Sequence, residues 1–526
     1  MRKFILVGGC IAIAFLLLLS GSAGLGSGER GALRLCWGGE PESFDPAVVS
    51  GLLESWYVGA LFEGLVSFER DGKTHAPGIA RSWTISDDGL VYTFNLRPSL
   101  WSDGAPLTAH DFVYSWRRAL DPRNGGSYAE MLFHLKNGER FHLGKVPFEE
   151  VGVRATDDAT LEVTLNNPTP FFLDIAAFMT LLPVDRRCIE QWGDDWVKPG
   201  KMTNNGPYLL ESWRPNYKIV LKKNPRYWDA AHVVLERVEC FVIESPTTAL
   251  NAYETGMVDW LDGGAVPVDF IEILRPRSDF TTYTAISTAF LRFNVTKPPF
   301  NDPRVRKAFA MAIRKPEITE RILRAGEVPA DVLVPPGFSG YRSPEGLKHD
   351  PAAAQRLLRE AYPDIGKFPK VEFLTVNRRK AIDLFEVLQK QWEDALGVRV
   401  EPKIQEWKVY LSSLRELEYH IGSGRWIGDY VDPATFIELF TTTSGNNRTG
   451  WSSPEYDRLV AEAARERDRT KRLDLLQLCE RMILEEETII APLNFNSGFF
   501  LRRAKVTGTA PNLQQRILLK HYRISD

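Results

Sequence analysis

Short strand-like and helix-like segments alternate irregularly along the chain, and this pattern restricts the possible folds more than any other feature. Alternating apolar and polar residues predict strands at residues 160–165 and 218–222, and a hairpin over residues 83–96. Apolar residues at helical spacing predict helices at residues 52–62 and 380–396. Because no repeat with a period of roughly 20 to 50 residues is present, we predict a mixed α/β fold, not a barrel or a solenoid.

The length and charge of the chain limit the classes of function. Its 526 residues, 44% of them hydrophobic and 25% charged, are enough to build a large core in two or more domains. The formal net charge is −3, and the lysines and arginines form no long basic block. This distribution argues against nucleic acid or an anionic membrane surface as the main partner.

The first residues have the layout of a secretory signal. Arg2 and Lys3 precede an apolar run over residues 4–19, and small residues follow over residues 20–24. We therefore predict a signal peptide over residues 1–24 and an exported protein. The alternative is that the run, extended to Leu25, stays attached as a membrane anchor.

The cysteines and histidines do not indicate a metal centre. Beyond the signal the cysteines are Cys36, Cys188, Cys240 and Cys479, with no CxxC pair and no zinc-like spacing, and the eight histidines are scattered. We expect buried free thiols and no metal or other cofactor. An oxidising compartment leaves one alternative open, a disulfide between Cys36 and Cys240, which both lie in apolar, strand-like stretches.

Motifs for common enzyme chemistry are absent. The chain contains no GxSxG elbow, no HExxH zinc motif and no phosphate-binding loop. The paired carboxylates Asp87-Asp88 and Asp157-Asp158 lie in turn contexts, where Asp side chains bind backbone N–H groups. We therefore predict no catalytic residues and interpret the chain as a binding protein.

One segment, residues 419–440, has the pattern of a ligand-contacting loop. It predicts a strand that ends near Trp426, a loop over residues 427–430, and a helix with Asp432 as N-cap and Pro433 at its first position. Loops that follow the carboxyl end of a strand commonly hold ligands in α/β proteins. Asp429 has no capping role in this segment, so it is either a ligand contact or an ordinary surface carboxylate.

Eight sequence motifs occur in order along the chain. They are EPESFDP at 40–46, LFEGL at 61–65, APGIARSW at 76–83, LVYTFNLRPSLWSDGAPLTAHDFVYSW at 90–116, NNGPY at 204–208, NPRYW at 224–228, FNDPRVRKA at 300–308 and QEW at 405–407. In this order they make the chain similar to the peptide-binding family of extracytoplasmic solute-binding proteins of ABC importers, from Glu40 to about Tyr522.

The resemblance implies a two-lobed, three-domain periplasmic binding protein fold of class II type, with a hinge and a central ligand cleft. Domain I would comprise residues 31–62, 186–286 and 497–526, domain II residues 63–185, and domain III residues 287–496. The implied protein is a periplasmic monomer that binds short peptides by their backbone and α-amino group in a closing cleft. Its second partner would be the membrane permease of an ABC transporter.

Site residues follow from the same resemblance. Asp429 matches the family's ammonium-binding Asp, and Tyr128 and Trp426 would line the cleft. The main chain around Leu52 and Ile427 would hydrogen-bond the peptide. The alternatives are a turn carboxylate, core aromatics and ordinary loop backbone.

The sequence also departs from the family pattern. Arg425 stands where relatives have a small residue, and it would pair either with a ligand carboxylate or with a glutamate of the protein. Residues that hold a peptide's C-terminus in relatives align near Leu323, Ala381 and Ser423, so ligand length cannot be transferred. The cysteine pair of domain III in close relatives is replaced by Ser287 and Ile427.

Other functions stay open at this level. The same scaffold in relatives takes up nickel complexes, haem or oligosaccharides, and the Arg425 change leaves such a ligand possible. An anchored sensory module and an unrecognised hydrolase are the alternatives from other classes.

Overall fold

The computed structural model describes residues 31–71, 74–126, 128–466, 468–508, 512 and 514–525. The predicted signal peptide at residues 1–24 lies outside the described residues. The described part mixes strands and α-helices along its whole length, which confirms the predicted α/β class. In this part of the chain no helix is both long and apolar enough to cross a membrane.

The strands are short except for two, β14 and β19, which have 14 and 13 residues. The strands are β1 Ala32–Cys36, β2 Val66–Phe68, β3 His75–Pro77, β4 Ala80–Ile85, β5 Val91–Leu96, β6 Ser99–Leu100, β7 Pro106–Leu107, β8 Val153–Asp157, β9 Thr160–Thr164, β10 Tyr208–Arg214, β11 Lys218–Lys223, β12 Arg237–Phe241, β13 Trp260–Asp262, β14 Phe280–Phe293, β15 Val328–Pro329, β16 Val371–Val376, β17 Val400–Gln405, β18 Ile421–Ile427, β19 Ile490–Arg502, β20 Val506–Thr507 and β21 Arg523–Ile524.

Most helices lie in the second half of the described chain. They are α1 Leu52–Leu61, α2 Ala109–Leu120, α3 Gly138–His142, α4 Phe172–Ala176, α5 Arg186–Trp192, α6 Pro246–Glu254, α7 Ile271–Leu274, α8 Pro303–Met311, α9 Lys315–Ile318, α10 Pro351–Ala361, α11 Arg379–Leu396, α12 Trp407–Arg415, α13 Ala434–Ile437, α14 Pro454–Arg465 and α15 Arg469–Arg481. Helix α2 begins at Ala109, where Thr108 and Asp111 form a capping box.

A large mixed sheet organises the molecule. Its strands follow the order β10-β11-β12-β1-β13-β19-β14-β18-β16-β17, with β15 paired to β19. The two long strands β14 and β19 are antiparallel neighbours at its centre, and their register shifts between Thr284 and Thr288. They therefore connect the β1 side of the sheet to the β18 side.

A separate sheet of four strands lies in the segment between β1 and β10. Its order is β4-β5-β9-β8, and alternate residues Tyr92, Phe94 and Leu96 of β5 are buried. This pattern is the one expected when one face of a strand packs on a core and the other meets solvent. The predicted hairpin over residues 83–96 corresponds to β4 and β5.

A distinct apolar core fills the region around β16. Phe373 of β16 packs with Phe309 of α8 and with Trp392 and Leu388 of α11. The indole Nε1 of Trp392 donates a hydrogen bond to the Phe309 carbonyl at 3.0 Å, so the one polar atom of this buried ring has a partner.

The cysteines are free and buried in the described chain. Cys36 and Cys240 lie on the neighbouring strands β1 and β12 without forming a disulfide. Burial raises the pKa of Cys36 to about 11, so this thiol stays protonated at neutral pH. The favoured prediction of buried free thiols is confirmed, and the alternative disulfide is not present.

Candidate functional site

A cavity of about 660 Å³ lies between the main sheet and residues of the segment that connects β1 to β10. Its wall combines the start of α1, Tyr128 and Phe178 from that segment, the end of β18, and Gln514 near the C-terminus. Segments far apart in sequence thus enclose one space large enough for a ligand of several residues. Among the described residues, no group of three or more His, Cys, Asp or Glu side chains could hold a metal ion.

One wall of the cavity is an unpaired strand edge. On one side β18 pairs with β14 along its whole length, from Ile421 to Ile427. On the other side it pairs with β16 only through Ile421 and Gly422, after which the two strands separate. Residues 423–427 therefore have no strand partner on this side. The Ser423 carbonyl accepts from the Tyr410 hydroxyl at 2.6 Å, and an extended chain could add to the rest of this edge by main-chain hydrogen bonds.

Asp429 stands just beyond the end of this edge. Its backbone N–H donates to the Thr435 hydroxyl at 3.0 Å, and its carbonyl accepts from the Gln514 amide at 2.7 Å. One oxygen of the carboxylate, Oδ2, is buried and has no hydrogen-bond partner among the described residues. The backbone of Asp429 is fixed while an acceptor atom at the cavity wall remains available.

The surroundings of Asp429 disfavour its ionised form. Burial raises the pKa of its carboxyl group well above the ordinary value, and the nearby Glu130 raises it further. The Arg516 guanidinium and the Tyr128 hydroxyl oppose this rise. A cation placed beside Asp429 would relieve the desolvation cost and stabilise the carboxylate.

Tyr128 and Trp426 meet across the cavity from opposite walls. Their ring centroids are 6.3 Å apart, and both side chains are more than nine-tenths buried. The Trp426 indole Nε1 donates to the Thr435 carbonyl at 2.8 Å, which fixes the ring. The structure brings these two predicted residues together with Asp429.

Leu52 and Ile427 place main chain at two sides of the same cavity. Leu52 is the first residue of α1, where N–H groups of the first turn have no intrahelical acceptor. Its carbonyl accepts from the Ser55 hydroxyl at 2.7 Å. Ile427 is the last residue of β18 and lies opposite Ser287 of β14.

Arg425 also lines the cavity, and it has no partner in the described protein. Its side chain is exposed to the open space of the cavity and forms no hydrogen bond or ion pair. Enclosure by protein lowers the pKa of Arg425, while Tyr283 and Asp262 oppose this effect. A glutamate of the protein does not neutralise it, so that alternative is wrong for the part of the chain that is described.

The positions at which the family pattern is broken also lie at the cavity wall. Leu323, Ala381 and Ser423 all contribute to the lining. None of them carries a charge, so they offer no ion pair to a ligand carboxylate. Ser287 accepts a hydrogen bond from Asn496 at 2.9 Å, in the place where close relatives have a cysteine.

Several cationic residues that line the cavity were not predicted from the sequence. The lining carries seven Lys and Arg side chains against four Asp and Glu. Arg292 and Arg448 are the least expected of them. Arg292 interrupts the apolar end of β14, FLRF, and a charged residue in an apolar strand could have indicated a special role. Arg448 lies in a polar loop, where an arginine is ordinary, so the sequence gave no indication of its position.

Two contacts join segments from the two sides of the cavity. The Phe171 and Tyr430 rings stack, and the Asn446 amide donates to Glu130 Oε1 at 2.8 Å. Burial raises the pKa of Glu130 to about 7. These contacts hold the two sides of the cavity together.

The chain is similar to known proteins in sequence and in structure. The family model "Bacterial extracellular solute-binding proteins, family 5 Middle" matches residues 74–448. A curated relative is the oligopeptide-binding protein OppA of Bacillus subtilis, 32% identical over 489 residues, which cover 89% of this chain and 88% of the relative. Another is the periplasmic oligopeptide-binding protein OppA of Salmonella typhimurium, 33% identical over 87% of this chain and 86% of the relative.

Solved structures agree in fold and also distinguish two conformations. Haemophilus influenzae OppA in complex with RPPGFSPFR matches with a TM-score of 0.90 at 30% identity, covering 95% of this chain and 100% of that one. One structure of the murein tripeptide binding protein MppA of Escherichia coli matches with a TM-score of 0.90 at 31% identity, covering 95% of this chain and 99% of that one. The unliganded open form of MppA matches with a TM-score of only 0.66, also at 31% identity, covering 94% of this chain and 98% of that one. The present structure is therefore more similar to the peptide complex of OppA than to the unliganded open form of MppA.

Proposed function

This chain belongs to family 5 of the bacterial extracellular solute-binding proteins, has the two-lobed, three-domain periplasmic binding protein fold, and from that premise we propose that it captures short peptides for an ABC importer. The ligand would lie in the enclosed cavity, held by its backbone and by its α-amino group. The proposal assigns binding and release to the protein and no catalytic step.

The single observation that carries the proposal is the position of Asp429 at the end of the unpaired edge of β18. An extended peptide that pairs with residues 423–427 would bring its terminal ammonium towards the free Oδ2 of Asp429. A charge-assisted hydrogen bond of this kind is strong inside a cavity that excludes water. Backbone and α-amino group are the two features that all unblocked peptides share.

The aromatic residues of the cavity wall fit a protein that accepts peptides with many different side chains. We propose that Tyr128 and Trp426 cover the first residue of the peptide and exclude water from the ammonium site. The main chain at Leu52 and Ile427 would supply further hydrogen bonds. Arg425, which has no partner in the described protein, would pair with a carboxylate of the ligand.

We propose the same domain division as the family has, with domain I at residues 31–62, 186–286 and 497–526, domain II at residues 63–185 and domain III at residues 287–496. Two of these boundaries, at 286 and 496, fall inside the long strands β14 and β19. Bending at the register shift near Thr288 would separate the walls of the cavity and release the ligand.

The proposed setting is the periplasm, with the membrane permease of the transporter as the partner that receives the ligand. The protein would act as a monomer, because one chain encloses the whole cavity. Whether residues 1–24 are removed or keep the protein at the membrane is decided by sequencing the N-terminus of the exported protein.

The test is calorimetric titration of purified protein, freed of co-purified ligand, with a tripeptide and its N-acetylated form. We expect the free tripeptide to bind at least about a hundredfold more tightly, because acetylation removes the charge that faces Asp429. Asp429→Asn should remove most of this difference, while Asp394→Asn, on the exposed face of α11, should keep it. Equal binding of both peptides to the wild type would contradict the role of Asp429.

A further inference from the structure

A second group of charges lies at the cavity and has no role in the ammonium site. Arg292 of β14 is 94% buried, and its side chain forms no hydrogen bond or ion pair with any described residue. Arg448 is half-buried and its Nε lacks a partner, while one terminal nitrogen reaches Asn446 Oδ1 at 3.4 Å. Buried arginines are normally paired, so these two guanidinium groups require an explanation.

The backbone around these arginines makes room for them. A Cβ atom at Gly424 would lie 3.1 Å from Arg292 Cζ and 3.3 Å from its Nε, so the guanidinium lies directly over this glycine of β18. Phe290, whose ring centroid is 5.1 Å from Arg292 Cζ, supports it from the same strand. The backbone carbonyl of Arg448 accepts a hydrogen bond from the Tyr419 hydroxyl, which fixes that loop.

The two arginines repel each other. Burial lowers the pKa of Arg448 to about 10, and the positive charges of Arg292 and Arg415 add to this effect. Neither Arg292 nor Arg448 has a carboxylate within ion-pair distance in the described chain, although both line the cavity. An anion entering the cavity would gain two cationic donors and would relieve their repulsion.

We propose that Arg292 and Arg448 form a second anchoring subsite, which binds a carboxylate near the third residue of the peptide. This inference rests on the proposed peptide-binding function. The subsite is separate from Arg425, whose nearest charged groups are Asp262 and Arg378.

The spacing along β18 indicates which ligand residue would carry the carboxylate. Gly424, under the Arg292 guanidinium, lies three residues before Ile427, about 10 Å along an extended strand. A peptide paired with this edge, with its amino end at Asp429, would reach the arginines at about its third residue. The carboxylate is then either an acidic side chain at that position or the C-terminus of a tripeptide.

The experiment compares four peptides that all have a free amino end. Ala-Ala-Glu-Ala-amide and Ala-Ala-Gln-Ala-amide differ only in a side-chain carboxylate, and Ala-Ala-Gln and its amide differ only in the terminal one. We expect one of the two pairs to show about a tenfold preference for the carboxylate form in calorimetric titration. The pair that shows it identifies the source of the carboxylate.

Variants then assign the preference to the two arginines. Arg292→Gln and Arg448→Gln should each reduce the preference to less than about threefold while the uncharged peptides bind as before. The matched control is Arg415→Gln, an exposed arginine that does not line the cavity and should keep the preference. In addition, Arg292→Gln should raise the thermal midpoint of the ligand-free protein, because it removes an unpaired buried charge.

Each outcome supports or overturns the proposed subsite. The subsite is overturned if the carboxylate and uncharged peptides bind equally, or if the preference survives both substitutions. The peptide-binding proposal is unaffected by either of these two results. The subsite is also overturned if Arg415→Gln loses the preference to the same extent, because the preference would then come from the summed positive charge around the cavity and not from the two arginines. Failure of every peptide to bind the wild type overturns the proposed function itself.

Discussion

The rings of Phe171 and Tyr430 stack face to face, with centroids 4.1 Å apart and planes inclined by 2°. They belong to the two regions proposed as domains II and III, so under that proposal the contact joins the two lobes. The Arg472 guanidinium lies 5.9 Å from the Phe171 ring centroid, and Tyr430 donates its hydroxyl hydrogen bond to Glu438 at 2.5 Å. If the lobes separate to release the ligand, the stack is lost, so it should favour the closed form.

Removal of this stack should favour the open form. Tyr430→Ala is expected to raise the ligand dissociation rate by about threefold to tenfold, in line with a loss of roughly 1 kcal/mol for an aromatic pair. Stopped-flow displacement measures the rate, and small-angle scattering of the ligand-free protein measures the opening. Tyr430→Phe keeps the ring, so its dissociation rate should stay close to that of the wild type. If its rate equals that of Tyr430→Ala, the effect comes from loss of the hydroxyl and not from loss of the stack.

Peptide affinity should depend on pH through Asp429. Because the pKa of its carboxyl group is raised in the ligand-free closed protein, the group is protonated at a higher pH than an ordinary Asp. The ligand's ammonium requires the ionised form, so affinity should fall as pH falls through this raised pKa, and binding should release a proton. Titrations in buffers of different ionisation enthalpy measure the proton release, which Asp429→Asn should abolish.

Replacement of Arg425 should change the ligand preference more than the stability. Since Arg425 makes no hydrogen bond or ion pair in the described chain, Arg425→Ala is expected to change the free energy of unfolding by less than about 1 kcal/mol. The affinity for acidic peptides should fall by several-fold while neutral peptides bind as before. Urea unfolding and calorimetry on the same preparations separate the two effects, and a large loss of stability would speak against a role in the ligand site.

Glu480 of α15 is expected to matter for stability and not for the ligand. Its carboxylate accepts hydrogen bonds from the N–H groups of Leu333 and Val334, both at 2.8 Å, and from the Tyr341 hydroxyl at 2.7 Å. Glu480→Ala leaves these buried donors without an acceptor, so the free energy of unfolding should fall by about 2–4 kcal/mol. The exposed Glu486→Ala should change it by less than about 0.5 kcal/mol. A similar loss in both variants, measured by urea unfolding, would contradict this account.

Local sequence patterns predicted the elements that depend on neighbouring residues. The hairpin of β4 and β5 is present, because it is decided by groups within a few residues. The strand and loop around Asp429 were predicted in the same way. The helix that follows is only Ala434–Ile437, with the Asp432 carboxylate accepting from the Ala434 N–H at 3.0 Å and also paired with Arg472.

The sequence by itself determined the α/β class, the features of an exported protein and, through its resemblance to relatives, the family and the choice of Asp429. Only the tertiary structure decided that β18 separates from β16 after Gly422, that Arg425 has no partner among the described residues, and that Arg292 and Arg448 face the same cavity. The reason is physical. Strand periodicity and capping depend on contacts between residues that are close in sequence. An unpaired strand edge or an unneutralised charge depends on which distant segments meet in the fold, and a local sequence pattern does not predict that.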